Sequence, residues 1–281
     1  MFDDATIVAI ATANGIGSIS IVRISGPKAH EIASKISQKN AFQPRLATLS
    51  YLYDTNKNLI DEALVLYFKA PFSFTGEDVI EFQCHGGFAI ANMIVDEVLK
   101  QGARLANPGE FSKRAFFNNK IDLTKAEAIS KIIEARSEDA VKLLARQLKG
   151  ELTNFVNEIR EDLLFMLAYT EVSIDYAEDD LPSDIFEQIK SKMEKIIVKL
   201  TNTLDASKRR EGMIEGFKVA IIGKPNVGKS SLLNKLLNYD RAIISDIAGT
   251  TRDTIEESVK IGTHIIKIVD TAGIRNASDV I

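Results

Sequence analysis

Between residues 110 and 211 the chain holds one glycine, Gly150, and one proline, Pro182. Eight glycines and four prolines fall in residues 1–109, and seven glycines with Pro225 fall in residues 212–281. Inside a helix Gly costs about 1 kcal/mol and Pro about 3 kcal/mol relative to Ala, so the middle third must be mostly helical. The flanking thirds must turn often. Apolar periodicity agrees: Leu144, Leu148, Leu152, Phe155, Ile159 and Leu163 recur at three- and four-residue steps and predict one long helix with a single apolar stripe. The acidic stretch 175–180 and Pro182 end that pattern. Ser183 can cap a second helix, with the stripe Phe186, Ile189, Met193, Ile197, Leu200 and Leu204. Two such helices imply a hairpin or part of a bundle, with more apolar surface than the pair can cover, so a further helix or partner is expected.

The first third alternates short β-rich runs with turns. Strands are predicted at 6–11, 18–24, 63–68 and 79–84, and helices at 27–37 and 88–101, which makes an α+β domain. The last third predicts a buried strand at 218–222, a helix from about 229 to 237, and strands at 257–261 and 264–270 joined by a Gly262-Thr263 turn.

At 281 residues the chain suits about two domains of roughly 150 residues each. A formal net charge of −4 excludes a strongly basic nucleic-acid binder but leaves room for a local basic patch such as Lys208-Arg209-Arg210. That run stands at a helix C-terminus, where cations also suit the helix dipole. The single cysteine, Cys84, excludes an internal disulfide framework and reads as a part-buried structural thiol in a reducing compartment. With His30, His85 and His264 it makes no zinc spacing. No apolar run approaches the roughly 18 residues that span a bilayer, and the acidic N-terminus lacks a signal peptide's basic region, so a cytoplasmic protein is expected.

Residues Gly223-Lys224-Pro225-Asn226-Val227-Gly228-Lys229-Ser230 match G-x-x-x-x-G-K-[ST] between an apolar strand and an amphipathic helix. Glycines let successive backbone N–H groups and a helix N-terminus face a phosphate chain. Lys229 would reach the β- and γ-phosphates and the Ser230 hydroxyl would ligate Mg²⁺. Downstream, Gly249-Thr250-Thr251-Arg252-Asp253 offers a threonine hydroxyl to the same ion. Asp270-Thr271-Ala272-Gly273 then places a carboxylate in the Mg²⁺ shell and a glycine backbone near the γ-phosphate. Three such elements in order describe a nucleotide switch.

The segments G-x-P-N-x-G-K-S, D-I-A-G-T-T-R-D and D-T-A-G-I-R resemble the GTPases of the translation-factor class. The chain upstream resembles one family, the tRNA modification GTPases MnmE, also called TrmE. The matching stretches include Ala5-Thr6-Ile7-Val8-Ala9, Ile24-Ser25-Gly26, Phe74-Thr75-Gly76-Glu77-Asp78, His85-Gly86-Gly87, Pro108-Gly109-Glu110-Phe111-Ser112, residues 118–127 and Arg210-Glu211-Gly212. The resemblance runs from Asp4 to Ile281. It implies a multidomain α/β protein: a tetrahydrofolate-binding and dimerisation domain at 1–118, a helical domain at 119–212, and the N-terminal part of a P-loop GTPase domain at 213–281. It also implies GTP hydrolysis that acts with a flavoprotein partner, MnmG, on the wobble uridine of certain tRNAs (a carboxymethylaminomethyl modification).

Carried over residue by residue, the resemblance implies that a tetrahydrofolate derivative contacts Arg23, Glu81 and Lys120. Such residues suit a pterin ring, which donates to a carboxylate, and a glutamate tail, which attracts cations. GTP is expected at Asn226, Val227, Gly228, Lys229, Ser230, Ser231, Ser245, Asp246, Ile247, Ala248, Gly249, Thr250, Thr251, Asp270, Thr271, Ala272 and Gly273. Mg²⁺ is expected at Ser230 and Thr251. K⁺ is expected at the Asn226 side chain and the carbonyls of Ser245, Ile247 and Thr250, where a monovalent cation can neutralise charge beside the phosphates.

The family's catalytic glutamate is expected just beyond Ile281, together with the guanine-selecting N-K-x-D element. Asn119-Lys120-Ile121-Asp122 matches those letters, but its place about 100 residues upstream, in a helical setting, sets it aside. Residues 212–281 read as too short for a doubly wound sheet covered on both faces, hence as part of a longer protein. Two other readings compete with the enzyme: a folate-binding dimerisation module with a silent GTPase portion, and a ribosome-assembly GTPase. The last would need a basic RNA-binding appendage where residues 1–120 stand, and folate binding by those residues would exclude it.

Overall fold

The N-terminal sequence folds around a six-stranded, mostly antiparallel sheet, in line with the α+β domain expected there. The computed structural model describes residues 4–13, 15–135, 137–175, 184–222, 228, 231, 232, 235, 256–261 and 264–269. The mixed α/β chain forms two compact units, Met1–Ala126 and Glu127–Ile281.

In the first unit the strands are β1 (Ile7–Ile10), β2 (Ile19–Ser25), β3 (Thr48–Tyr53), β4 (Leu59–Phe68), β5 (Val79–His85) and the short β6 (Arg104–Leu105), in the order β3-β4-β5-β2-β1-β6. Only the β1–β6 pairing is parallel. Alternation along each strand sorts side chains to two faces. Val22 and Ile24 of β2, Ala63 and Val65 of β4, and Ile80, Phe82 and Cys84 of β5 point to one side and are buried. Helices α1 (Ala29–Ser37) and α2 (Phe88–Lys100) close that side with Ile32, Ile36, Ile94 and Val98. Each such large apolar side chain contributes about 1.5–3 kcal/mol on burial. On the opposite face Leu49, Tyr51 and Leu64 are exposed. Arg23 and Glu81 stand there too, directly opposite each other in the β2–β5 register.

Two strands here were not expected, β3 and β6. β3 was missed, although its alternating T-L-S-Y-L-Y run is strand-like and a tight turn follows it: the Lys57 N–H donates to the Asp54 carbonyl at 2.9 Å and Asp54 Oδ1 accepts the Asn58 N–H at 2.7 Å. The same turn explains why β4 starts at Leu59, four residues before the expected Ala63. Cys84 is buried at 2% exposure rather than part-buried. Burial, then the nearby Asp61 charge, pushes its thiol up, and Sγ donates to the Ser20 carbonyl at 3.3 Å. After β6, α3 (Glu110–Phe117) leads into α4 (Leu123–Glu134).

The second unit corrects two helical expectations. The stripe running from Leu144 to Leu163 is carried by two helices, α5 (Glu138–Leu148) and α6 (Glu151–Asp175). Gly150 separates them, because its φ of +87° ends one helix where an alanine would have continued it. Its N–H closes α5 on the Gln147 carbonyl at 2.9 Å, and its own carbonyl opens α6 by accepting from Asn154 at 2.9 Å. Helix α7 (Ile185–Glu215) then pairs with α6.

The expected α7 stripe is not the packed one. Its members Phe186, Met193, Ile197, Leu200 and Leu204 are exposed, and only Ile189 packs. The seam instead uses Ile189 and Ile196 against Phe155, Ile159 and Met166, and Ile196 stands one residue from the expected Ile197. Two partly exposed ion pairs flank that seam: Lys192 reaches Asp162 at 3.0 Å and Lys199 reaches Glu158 at 2.6 Å. The surplus apolar surface expected from sequence is therefore present on α7, and on α6 at Leu163, Leu164 and Leu167. The expected cap Ser183 lies outside the described residues, and Asp184 is the residue preceding α7.

Beyond α7 comes a second sheet, β7 (Phe217–Ala220), β8 (Glu256–Ile261) and β9 (His264–Val269), in the order β7-β9-β8. The β8–β9 hairpin follows the expected spacing, and β7 runs parallel to β9. β7 was expected to be buried but is exposed along its length, because among the described residues the small sheet lacks helices on both faces. Among the described residues no helix is long and apolar enough to cross a membrane.

Candidate functional site

The open face of the first sheet presents the pair Arg23–Glu81. Arg23 Nε donates to Glu81 Oε1 at 2.8 Å, and the side chains are 31% and 14% exposed. Glu81 Oε2 and the terminal nitrogens of Arg23 have no protein partner among the described residues, so both charges retain capacity for a ligand. The Arg23 guanidinium also lies 5.8 Å from the centre of the Phe111 ring, in the first turn of α3.

Lys120 stands just past the other end of α3, whose last residue, Phe117, precedes it by one turn. It lines a cavity of about 460 Å³ with Phe116, Phe117 and Lys125. The loop at Gly76 holds it in place: Asn118 Nδ2 donates to the Thr75 carbonyl at 2.7 Å, and the Lys120 N–H donates to the Ala115 carbonyl at 2.8 Å. The three expected folate contacts thus comprise one direct pair, Arg23–Glu81, and Lys120 set apart from it along α3. Asp122 of the N-K-I-D stretch caps α4, with Oδ1 accepting the Lys125 N–H at 2.8 Å, so it serves the backbone and reads no base.

What ties α3 to the sheet is a polar cluster that sequence reasoning did not single out. Arg114, 4% exposed, donates through Nη1 to Glu77 at 3.0 Å and through Nη2 to the Ala5 carbonyl at 2.8 Å and Glu110 at 3.1 Å. Arg104 clasps Glu110 with two bonds, at 2.6 and 2.8 Å. Ser25 Oγ donates to Glu77 Oε2 at 2.7 Å and meets Thr75 Oγ1 at 2.7 Å. The motifs around Ala5, Ser25, Thr75–Glu77 and Glu110 are therefore one network in space. Their separation along the chain concealed it, since Glu77 and Arg114 are 37 residues apart.

The Glu110 carboxyl is held at about 2, well below its ordinary 4.5. Hydrogen bonds from Arg104 are the main cause, opposed by burial and reinforced by the Asn107 N–H and Arg114. The unfolded chain takes up that proton near pH 4.5 and the folded chain only near pH 2. The contribution is fully present above about pH 5 and is lost as pH falls from about 4.5 to 2. Denaturation followed from pH 7 to pH 2.5 is expected to show this acid limb, and Glu110→Gln to remove about 1–3 kcal/mol of its amplitude. An unchanged limb in that variant would show that Glu110 is not depressed.

The nucleotide motif is described in part. Gly228, at a φ of +94°, accepts the Leu232 N–H on its carbonyl at 2.9 Å, and Ser231, Leu232 and Lys235 are helical. Gly228 therefore stands at the start of a helical stretch. The other expected positions, Asn226, Val227, Lys229, Ser230, Ser245, Asp246, Ile247, Ala248, Gly249, Thr250, Thr251, Asp270, Thr271, Ala272 and Gly273, lie outside the described residues. What is described is the frame that carries them: Ala220 pairs with Val269 in the parallel register, so β7 and β9 end side by side. The phosphate loop follows one of these ends and D-T-A-G follows the other. Phosphate ligands of open α/β sheets bind at such carboxyl ends.

Comparison with known proteins agrees with this architecture. The family model for the GTP-binding protein TrmE N-terminus matches residues 6–120, and that for the MnmE helical domain matches residues 123–278. The tRNA modification GTPase MnmE of Aliarcobacter butzleri is 85% identical over 281 residues, all of this chain and 63% of the relative. The protein of the same name from Sulfurimonas denitrificans is 69% identical over 98% of this chain and 61% of its own length. The one from Campylobacter jejuni strain RM1221 is 56% identical over 98% and 62%. The chain thus spans about three-fifths of the length of these curated relatives. With both consecutive family models matched across 6–120 and 123–278, the chain belongs to the MnmE (TrmE) family of tRNA modification GTPases.

Proposed function

We propose that the chain binds GTP at the paired ends of β7 and β9 and hydrolyses it in a K⁺- and Mg²⁺-dependent reaction that serves wobble-uridine modification of tRNA. The flavoprotein MnmG is the partner in this reading, and the N-terminal unit binds a tetrahydrofolate derivative and dimerises. Residues 1–118, 119–212 and 213–281 would act as folate-binding, helical and GTPase parts. The observation that carries the reading is the parallel β7–β9 register, followed by G-K-P-N-V-G-K-S on one strand and D-T-A-G on the other.

In this reading the backbone of residues 226–231 wraps the phosphates, Lys229 neutralises the β- and γ-oxygens, and Gly273 approaches the γ-phosphate. Ser230 and Thr251 would hold Mg²⁺, and Asn226 with the carbonyls of Ser245, Ile247 and Thr250 would hold K⁺. When bound, the ions supply charge neutralisation along the bridging oxygens. Loss of the γ-phosphate releases the loop around Thr250–Asp253, which is how hydrolysis would be signalled to a partner. On the sheet face the free Oε2 of Glu81 suits pterin donors, and the Arg23 and Lys120 cations suit a folate glutamate tail.

GTP turnover by the chain with Mg²⁺, measured in K⁺ and in Na⁺, tests the reading. Turnover in K⁺ and at least tenfold less in Na⁺ is the expected result. Equal rates would reject the K⁺ site. No turnover in either salt, with folate still bound, would leave a folate-binding dimerisation module with a silent GTPase portion.

A further inference from the structure

Helix α3 ends in a Schellman motif built on Asn119, whose φ is +55°. The Asn119 N–H donates to the Phe116 carbonyl at 3.0 Å, and the Lys120 N–H donates to the Ala115 carbonyl at 2.8 Å. In such a motif the residue that closes the longer bond commonly packs an apolar side chain back on its own helix. Here that residue is Lys120, and its stem lies over the bare Cα of Gly76, in the loop between β4 and β5. A Cβ on Gly76 would stand 3.0 Å from Lys120 Cε, 3.4 Å from its Cγ and 3.1 Å from Asn118 Cβ. The loop is fixed in turn. Asn118 Nδ2 donates to the Thr75 carbonyl at 2.7 Å, and the fully buried Thr75 meets Ser25 Oγ at 2.7 Å.

Two physical requirements meet at Gly76. Its φ of +79° favours glycine whatever surrounds it. Space for Lys120 is a separate requirement, because a side chain at 76 would push into the lysine stem at two points. A long cationic side chain on a surface ordinarily keeps its rotamer freedom and loses it only when a ligand arrives. Lys120 is exposed, and its ammonium forms no ion pair among the described residues. Packing of the stem therefore serves no internal contact of the charge. It does restrict where the ammonium can stand.

We propose that Gly76 is the positioning residue for Lys120. By offering no side chain it lets the lysine stem rest on the 75–77 loop, and so holds the ammonium, before any ligand is present, where a folate glutamate carboxylate is taken up. The inference rests on the reading that Lys120 contacts a tetrahydrofolate derivative. Gly76 touches no ligand itself; it acts through Lys120 by lowering the ordering cost of binding.

Affinity of the 281-residue chain for 5-formyl-tetrahydrofolate, measured by calorimetry across a double-mutant cycle of Gly76 and Lys120, tests this. K120M keeps most of the stem and removes the charge, and is expected to bind at least tenfold more weakly. G76A is expected to bind at least fivefold more weakly than the parent, yet G76A/K120M should stay within twofold of K120M. G76N carries the same Cβ on a residue that adopts left-handed backbone more readily, and the same pattern is expected from it. An equal loss in both backgrounds would reveal a loop effect unrelated to Lys120 and overturn the proposal, as would parent affinity in either folded Gly76 variant. Thermal melting reports folding. Where neither Gly76 variant folds, N118A decides: it leaves Gly76 in place, cuts the Thr75 tether, and should lose affinity in the Lys120 background only. Loss in both backgrounds, or in neither, would overturn the proposal. A parent chain that binds no folate, or a K120M variant that binds as the parent does, rejects the underlying reading and the positioning role together. Weak binding by K120M beside full binding by G76A rejects the positioning role alone.

Discussion

Arg114→Met is expected to lower the stability of the N-terminal unit by about 3–5 kcal/mol, the cost of removing one partner from a buried charge cluster. The guanidinium is 4% exposed and joins Glu77, Glu110 and the Ala5 carbonyl, so its loss removes the cation beside Glu77 and leaves Glu110 to Arg104 alone. Methionine keeps much of the side-chain volume, which separates the charge effect from a cavity effect. Urea denaturation of the parent and the variant measures the difference, and a loss below about 1 kcal/mol would show that the cluster is dispensable. The consequence extends to Lys120. Helix α3 carries Arg114 at its centre and Phe111 near its start, and it ends just before Lys120. A variant that loosens α3 should therefore also weaken binding at the candidate folate site.

Lys229→Ala is expected to weaken binding of a non-hydrolysable GTP analogue at least 100-fold while leaving the melting of the N-terminal unit unchanged. The physical reason is the loss of a charge-assisted contact to the β- and γ-phosphates at the lysine that the motif puts directly before the hydroxyl residue. Titration with a fluorescent analogue reads the affinity. Equal affinity in the two proteins would remove the phosphate-loop assignment, whatever the turnover of the parent.

The expected folate residues and the expected nucleotide residues differed in how far chain order could group them. The phosphate loop is contiguous: glycine spacing, lysine and hydroxyl stand within eight residues, so their chemistry can be read without coordinates. The Arg23–Glu81 pair depends on the β2–β5 register, which joins positions 58 residues apart. Family resemblance pointed to both residues, but only strand pairing shows that they share one bond and one open face. Nothing local marked Arg114 at all. An arginine in an eight-residue helix reads as a solvated cation until the strands that surround it are in place.

Some features were determined by the sequence alone: the helical middle third, the β8–β9 hairpin spacing, the strand–phosphate loop–helix order, and the motifs that carry the family. These are local, set by backbone cost and by residue spacing over a few turns. Tertiary structure decided which face of α7 meets α6, where Gly150 breaks the long apolar stripe, and how the scattered motifs close into one polar cluster. Those outcomes turn on pairings between distant segments: the side of α7 that is covered is the one whose Ile189 and Ile196 meet Phe155, Ile159 and Met166 of α6. A periodic pattern defines that a helix has an apolar side. Only its neighbour defines which apolar side is covered.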